Sequence, residues 1–153
     1  VVGEIWIASP SKAQGYWNQL ALSEHEFHAK LSSDNGMGGN GFLRTGDLGF
    51  MLNSELFICG RMKDLIIVRG SNHYPQDIER TAEQHQAAYL RAGCSAAFSL
   101  KGTQKRHTED VIYIAELKEG VSATKYEEIA RSVRDVVSTH HGLGLTCVCL
   151  LKP

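Results

Sequence analysis

Between Tyr126 and Val137, apolar residues recur every three or four positions: Tyr126, Ile129, Ala130, Val133 and Val137. On an α-helix these side chains line one face, and other structure must cover that face. Thr124, with Glu127 three residues on, supplies a capping signal at the start. His140 and His141 suit the negative end of the helix dipole, and Gly142 stops the helix. Cover is at hand on both sides. The runs 94–100, 111–117 and 145–151 read as strands, and Leu65-Ile66-Ile67-Val68 as a short buried strand closed by Gly70. Pro75 stands at a first helical position, so 76–90 reads as a helix ending before Gly93. From residue 61 on, the order is strand, helix, strand, strand, helix, strand. That is an α+β module of about 90 residues, with about three to four strands and two main helices, within the usual domain range.

The first 60 residues differ. Glu4-Ile5-Trp6-Ile7-Ala8 alternates and suits a half-buried strand. Ser23 precedes a short helix over 24–31, with Glu26 as a capping-box partner and Phe27 and Leu31 on its buried face. The stretch 32–41 is rich in Gly, Asn and Asp and reads as a loop, with strand-like pieces at 42–44 and 55–59. So few strands cannot close a core. We expect residues 1–62 to be the β-rich edge of a larger domain and 63–153 a smaller one.

Composition excludes several functions. A net charge of −1 offers no global attraction to nucleic acid or anionic lipid. No apolar run approaches the roughly 20 residues that span a bilayer, and Val1-Val2-Gly3-Glu4 lacks the order of a signal peptide. The 4 cysteines, Cys59, Cys94, Cys147 and Cys149, form no Cys-x-x-Cys pair. They read as reduced residues of a cytoplasmic protein, with neither a zinc site nor a disulfide framework.

Four constellations invite chemistry. Gly36-Met37-Gly38-Gly39-Asn40-Gly41 matches a dinucleotide fingerprint in letters. A helix precedes it and a strand follows, the reverse of what a pyrophosphate site needs, so it reads as a loop. His25 and His28 share a helix face without an acidic third ligand, and a solvated face is preferred to a metal site. In Phe42-Leu43-Arg44-Thr45-Gly46-Asp47-Leu48-Gly49, Asp47 is expected on a tight turn at a strand end. Its carboxylate could accept from both hydroxyls of a ribose, although on the motif alone an ordinary β-turn is the preferred reading. Finally, charged residues crowd both ends of 65–68, from Gly60-Arg61-Met62-Lys63-Asp64 to Arg69-Gly70-Ser71-Asn72. Gly70 would permit close approach of a ligand or chain there, and a solvated turn is the alternative.

Together these segments resemble the adenylate-forming superfamily of acyl-CoA synthetases, peptide-synthetase adenylation domains and luciferases. The ordered motifs are Gly3-Glu4-Ile5-Trp6-Ile7 with Gly15-Tyr16-Trp17, then Arg44-Thr45-Gly46-Asp47-Leu48, then Gly60 to Asp64 through Gly70 to Glu79. The wording of 63–70 and Asn72-His73-Tyr74-Pro75-Gln76-Asp77-Ile78-Glu79 is most similar to the fatty acyl-AMP ligase branch. The resemblance implies a ligase that uses ATP and Mg2+ to turn a fatty acid into an acyl-adenylate. The acyl group then passes to the phosphopantetheine arm of an acyl carrier protein.

By the same resemblance Asp47 would hold the ribose hydroxyls, and Arg61 would support it there and approach the phosphate. Lys63 would be the hinge of a mobile C-terminal domain, and Gly70 would border the pantetheine tunnel. Asn72 stands where many relatives carry a phosphate-binding arginine, and Ser71 also departs from the arginine expected in this branch. The phosphate loop would lie before Val1 and the adenylation lysine after Pro153. The 153 residues alone are therefore expected to form no adenylate. Alternatives are a fatty acyl-CoA ligase, a peptide-synthetase adenylation domain, or a non-catalytic module that docks a carrier protein.

Overall fold

The computed structural model describes residues 1–31, 41–100 and 110–153. The glycine-rich stretch at 32–40 and the basic loop with Lys101, Lys105, Arg106 and His107 lie outside the described residues. What is described is mixed α+β, with three α-helices and three small sheets. It divides into two compact units, Val1–Lys63 and Asp64–Pro153.

In the first unit, β1 (Gly3–Ile7), β2 (Leu43–Leu52) and β3 (Glu55–Arg61) form an antiparallel sheet in that order, with α1 (Leu20–Phe27) beside it. Asn53 and Ser54 join β2 to β3 with φ of 50° and 67°. Two left-handed residues in succession match the twist of a two-residue hairpin. Phe50 and Phe57 then pair across the strands and stack at 5.3 Å. The helix begins earlier than expected, and Ser23 is not its cap. Ser23 lies inside the helix, where its Oγ accepts the Tyr16 N–H at 2.8 Å and donates to the Gln19 carbonyl at 2.7 Å. It fastens the incoming loop, and Gly15 allows the approach, since a Cβ there would sit 2.5 Å from the Ser23 side chain. Leu31, expected beside Phe27 on the buried face, lies beyond the helix and is exposed.

The second unit opens with a hairpin, β4 (Ile66–Val68) and β5 (Ser71–His73). Its turn residues Arg69 and Gly70 have φ of 51° and 80°, again two left-handed residues in succession. Next come α2 (Pro75–His85), β6 (Leu90–Leu100), β7 (Asp110–Leu117), α3 (Tyr126–His141) and β8 (Cys147–Leu151). The sheet order is β6-β7-β8, with β6 antiparallel and β8 parallel to the central strand. A parallel neighbour needs a crossover, which α3 supplies. Along β7 the residues alternate between partly and fully buried, and Val111, Tyr113, Ala115 and Leu117 form the buried face. They pack in one core with Ile78 and Ala82 of α2 and with Ile129, Val133 and Val137 of α3.

Several boundaries move. Residues 86–89 favour a helix locally, yet α2 ends at His85 because Leu90, 1% exposed, pairs with Leu117. Ser122 rather than Thr124 caps the start of the α3 segment, over a 3-10 turn at Ala123–Lys125. Gly142 does stop α3, with φ of 62° and its N–H on the Ser138 carbonyl. Glu79 and Glu83 of α2 also cover the outer edge of β6. Glu79 accepts the Ala97 N–H at 2.8 Å, while Glu83 accepts the Gly93 N–H at 2.9 Å and the Ser95 hydroxyl at 2.5 Å. Edge donors that could pair with another chain are thereby satisfied within the unit.

Candidate functional site

The centre of the first unit is an irregularity between β1 and β2. Glu4 pairs with Leu48 and Trp6 with Arg44, so Ile5 alone opposes Thr45, Gly46 and Asp47. The excess is absorbed in a bulge, with Gly46 at φ 73°, a conformation that favours glycine. Side chains replace the lost ladder bonds. The Thr45 hydroxyl donates to the Ile5 carbonyl at 2.8 Å and accepts the Asp47 N–H at 3.0 Å. The Gly46 N–H donates to Glu4 Oε1 at 3.3 Å. Asp47 is thus within a long strand, not on the tight turn expected of it, because β2 continues to Leu52 through the bulge.

Across the other pairing, Asp47 faces Arg61. Arg61 Nε donates to Asp47 Oδ1 at 3.3 Å, and the side chains are 33% and 69% exposed for Asp47 and Arg61 respectively. An ion pair this open contributes no more than about 1 kcal/mol to stability. Among the described residues, Asp47 Oδ2 takes no hydrogen bond. A carboxylate with one oxygen steadied and the other open can accept from an incoming pair of hydroxyls.

Lys63 follows in an exposed 3-10 turn, Met62–Asp64, and the boundary between the units falls directly after it. Gly70 and Asn72 belong to the second unit, at the exposed turn of the β4–β5 hairpin and opposite Ile67. A Cβ at Gly70 would meet nothing within 4 Å. The turn's positive φ, not a crowded neighbour, is what calls for glycine there. The structure therefore brings Asp47 and Arg61 together and places Lys63 after them. Gly70 and Asn72 form a separate group on the hairpin.

Sequence reasoning gave no role to Glu4, Trp6, Arg44 or Thr45. Glu4 accepts from Trp6 Nε1 at 2.8 Å and from Arg44 Nε and Nη2 at 3.1 and 2.9 Å. Burial by itself would push this carboxyl up. The hydrogen bonds from Trp6 and Arg44, the Arg44 charge and the Gly46 N–H outweigh it and hold Glu4 below the usual carboxylate range. Arg44 also lies 5.6 Å from the centre of the Trp6 ring and donates to His25 Nε2 at 2.6 Å. The signal was present: Glu4 and Trp6 stand two apart on one strand, so they share a face. His25 and His28 turn to different partners, His25 to Arg44 and Glu26 and His28 to the Gln14 carbonyl.

Comparison with known proteins covers the chain almost completely. It is 42% identical over 153 residues to the medium-chain-fatty-acid–[acyl-carrier-protein] ligase JamA of Moorena producens (strain JHB), covering 99% of this chain and 24% of that protein. The chain matches part of an adenylate-forming enzyme. The putative fatty-acid–CoA ligase FadD21 of Mycobacterium tuberculosis (strain H37Rv) is 38% identical over 158 residues, covering 99% of this chain and 26% of the relative. A solved structure from work on fatty acyl-adenylate ligases of E. coli and L. pneumophila superposes with TM-score 0.74 and 30% identity. It covers 100% of this chain and 24% of that one. No protein-family model matches. The chain thus spans about a quarter of the length of the adenylate-forming relatives it matches. The matched stretch takes in both units.

Proposed function

We propose that this chain is part of a fatty acyl-AMP ligase, which activates a fatty acid with ATP and hands the acyl group to an acyl carrier protein. In the first step the fatty acid carboxylate attacks the α-phosphorus of ATP and pyrophosphate leaves. In the second, the phosphopantetheine thiol attacks the acyl carbonyl and AMP leaves. The observation that carries the reading is Asp47, one oxygen held by Arg61 and the other open, on a bulge within a stretch similar to JamA.

Each residue takes a part in this account. Asp47 accepts from the ribose hydroxyls of the nucleotide. Arg61 holds that carboxylate in place and adds positive charge near the phosphate. Lys63 is the hinge between the two units, which its place at their boundary supports. Gly70 and Asn72, on the exposed hairpin, meet the pantetheine arm and, more weakly, the phosphate. Mg2+, when bound to the nucleotide, would neutralise phosphate charge. Among the described residues no group of three His, Cys, Asp or Glu is placed to hold a metal ion. No residue of this chain is therefore assigned to it.

Residues 1–62 are read as the edge of a large domain. The apolar side chains exposed on both faces of its sheet, Met51 and Ile58 on one and Phe57 on the other, support that, since such surfaces call for cover. Residues 63–153 are read as the mobile C-terminal domain. A cytoplasmic setting goes with ATP use and with four cysteines that are all free thiols. No helix among the described residues is long and apolar enough to cross a membrane. The name given to FadD21 favours a second reading in which free coenzyme A is the acceptor. Both acceptors end in the same pantetheine thiol, so supplying each separately to the intact enzyme decides between them.

The test of the main reading is Asp47→Ala in the intact enzyme. Loss of hydrogen bonds to a charged acceptor costs about 1.5–3 kcal/mol, or roughly ten- to a hundred-fold. The KM for ATP should rise by that factor while the fold persists. An unchanged ATP dependence would show that Asp47 serves the strand alone.

A further inference from the structure

The bulge that presents Asp47 needs something to hold it open, and Glu4 bonds directly to it through the Gly46 N–H. Regular antiparallel pairing would place one residue of β1 opposite one residue of β2. Here Ile5 alone opposes three residues, which takes the N–H groups of Gly46 and Asp47 out of the ladder. Both are claimed by side chains: Asp47 N–H by the neighbouring Thr45 hydroxyl, and Gly46 N–H by Glu4 from the adjacent strand. Thr45 is in turn tied to the Ile5 carbonyl. The one support with a charge is Glu4.

Its setting is built rather than incidental. The Glu4 side chain is only 12% exposed, and its two oxygens accept from Trp6, from Arg44 and from Gly46. Arg44 is fixed at both ends, by Glu4 and by His25 Nε2. The His25 ring accepts there and therefore carries its proton on Nδ1, which faces Glu26 at 3.1 Å. Arg44 before the bulge and Gly46 within it are thus anchored on one carboxylate. If the bulge relaxed toward regular pairing, the register of β2 would slip. A slip by one residue turns a strand side chain to the opposite face of the sheet. Asp47 meets Arg61 on one such face, through the pairing of β2 with β3.

We infer that Glu4 is a positioning residue for nucleotide binding, acting through the Gly46 N–H and Arg44 to hold the Asp47 carboxylate beside Arg61. The inference rests on the ribose role proposed for Asp47. Glu4 itself touches no reacting atom. Its substitution should therefore weaken ATP binding in the way that loss of Asp47 does, without a separate effect of its own.

The experiment is a double-mutant cycle in the intact enzyme, reading the KM for ATP, the KM for fatty acid and kcat, with thermal unfolding of every variant. Glu4→Gln keeps the shape and the Gly46 contact but turns an amide toward donors that need an acceptor. It should raise the KM for ATP about ten-fold, the scale of one hydrogen bond to a charged group, and leave the fatty acid KM alone. In an Asp47→Ala background the same change should add less than about two-fold, since the residue it positions is gone. Glu4→Ala should show the same pattern more strongly, and if it fails to fold, Glu4→Gln carries the test. Full multiplication of the two effects would overturn the inference. So would a fall in both substrates' parameters that tracks lost thermal stability. A raised ATP KM in Asp47→Ala with none in Glu4→Gln overturns this inference alone. An unchanged ATP KM in Asp47→Ala overturns the ribose reading, and this inference with it.

Discussion

The two units contrast most in where their apolar surface goes. In Asp64–Pro153 the core gathers fifteen buried hydrophobic residues from two helices, the central sheet, β4 and the segment between α3 and β8, with Tyr113, Ile78, Val133 and Val137 at 0% exposure. In Val1–Lys63 the buried hydrophobic residue among those described is Phe27, at 8%. Large apolar side chains instead face outward there, with Trp17 89% exposed and Ile58 68%. The second unit buries its apolar core within itself, while the first leaves large apolar side chains exposed.

The largest effect that would break this contrast is in the second core. Leu117→Ala removes a side chain 1% exposed on the central strand's end, where β6 closes on it. It should destabilise that unit by about 2–5 kcal/mol in denaturant unfolding, the range for a buried leucine truncated to alanine. A loss under about 0.5 kcal/mol would mean the core is loosely packed.

A smaller effect comes from the contact between its helices. The Thr81 hydroxyl meets His141 Nε2 at 2.8 Å. Burial pushes the His141 imidazole below its ordinary value, opposed by Asp77 and reinforced by His73, His140 and Arg80. A folded value lower than the unfolded one means the neutral ring is favoured in the fold. Its stabilisation is then full above about pH 6.5 and is lost as the pH falls through the lower, folded value. Thermal unfolding across pH 7.5 to 5 should show a decline that His141→Gln makes shallower. An identical decline in the variant would remove His141 as the cause.

The smallest effect sharpens the contrast from the other side. Ile58→Thr alters a side chain that is already exposed and should change the stability of these 153 residues by under about 0.5 kcal/mol. In the intact enzyme, where we place cover over that face, the loss should exceed about 1 kcal/mol, toward the roughly 1.5–3 kcal/mol of a buried aliphatic side chain. Equal small losses in both would leave the face uncovered.

What the sequence made legible follows the same division. The α3 stripe and its stop at Gly142 and Pro75 at the start of α2 are local or periodic signals, and each stands in the fold, whereas of the run 65–68, expected to be buried, Ile66 is buried and Ile67 is 48% exposed. The errors arose where partners distant in sequence decide. β2 runs through Gly46 because β1 and β3 pair on both sides of it, although a Thr-Gly-Asp segment reads locally as a turn. Ser23 resembles a cap but serves a loop seven residues earlier. The hairpin strand β5 is three residues long, too short for periodicity to register. The motif singled out Asp47 and Arg61, which strand pairing brings side by side. The contacts of Glu4 could not be read in the same way, because they depend on a register that only strand pairing reveals.

The central claim, a fixed site-bearing unit followed by a unit that moves about Lys63, is tested most directly by Lys63→Pro in the intact enzyme. Proline fixes φ near about −65° and denies the hinge its second conformation. ATP–pyrophosphate exchange and acyl transfer to a holo carrier protein are measured separately, with Lys63→Ala as the control. The account predicts that Lys63→Pro keeps one half-reaction and loses most of the other, while Lys63→Ala retains both. If both steps fall together in a folded Lys63→Pro enzyme, or neither falls, Lys63 is not the hinge.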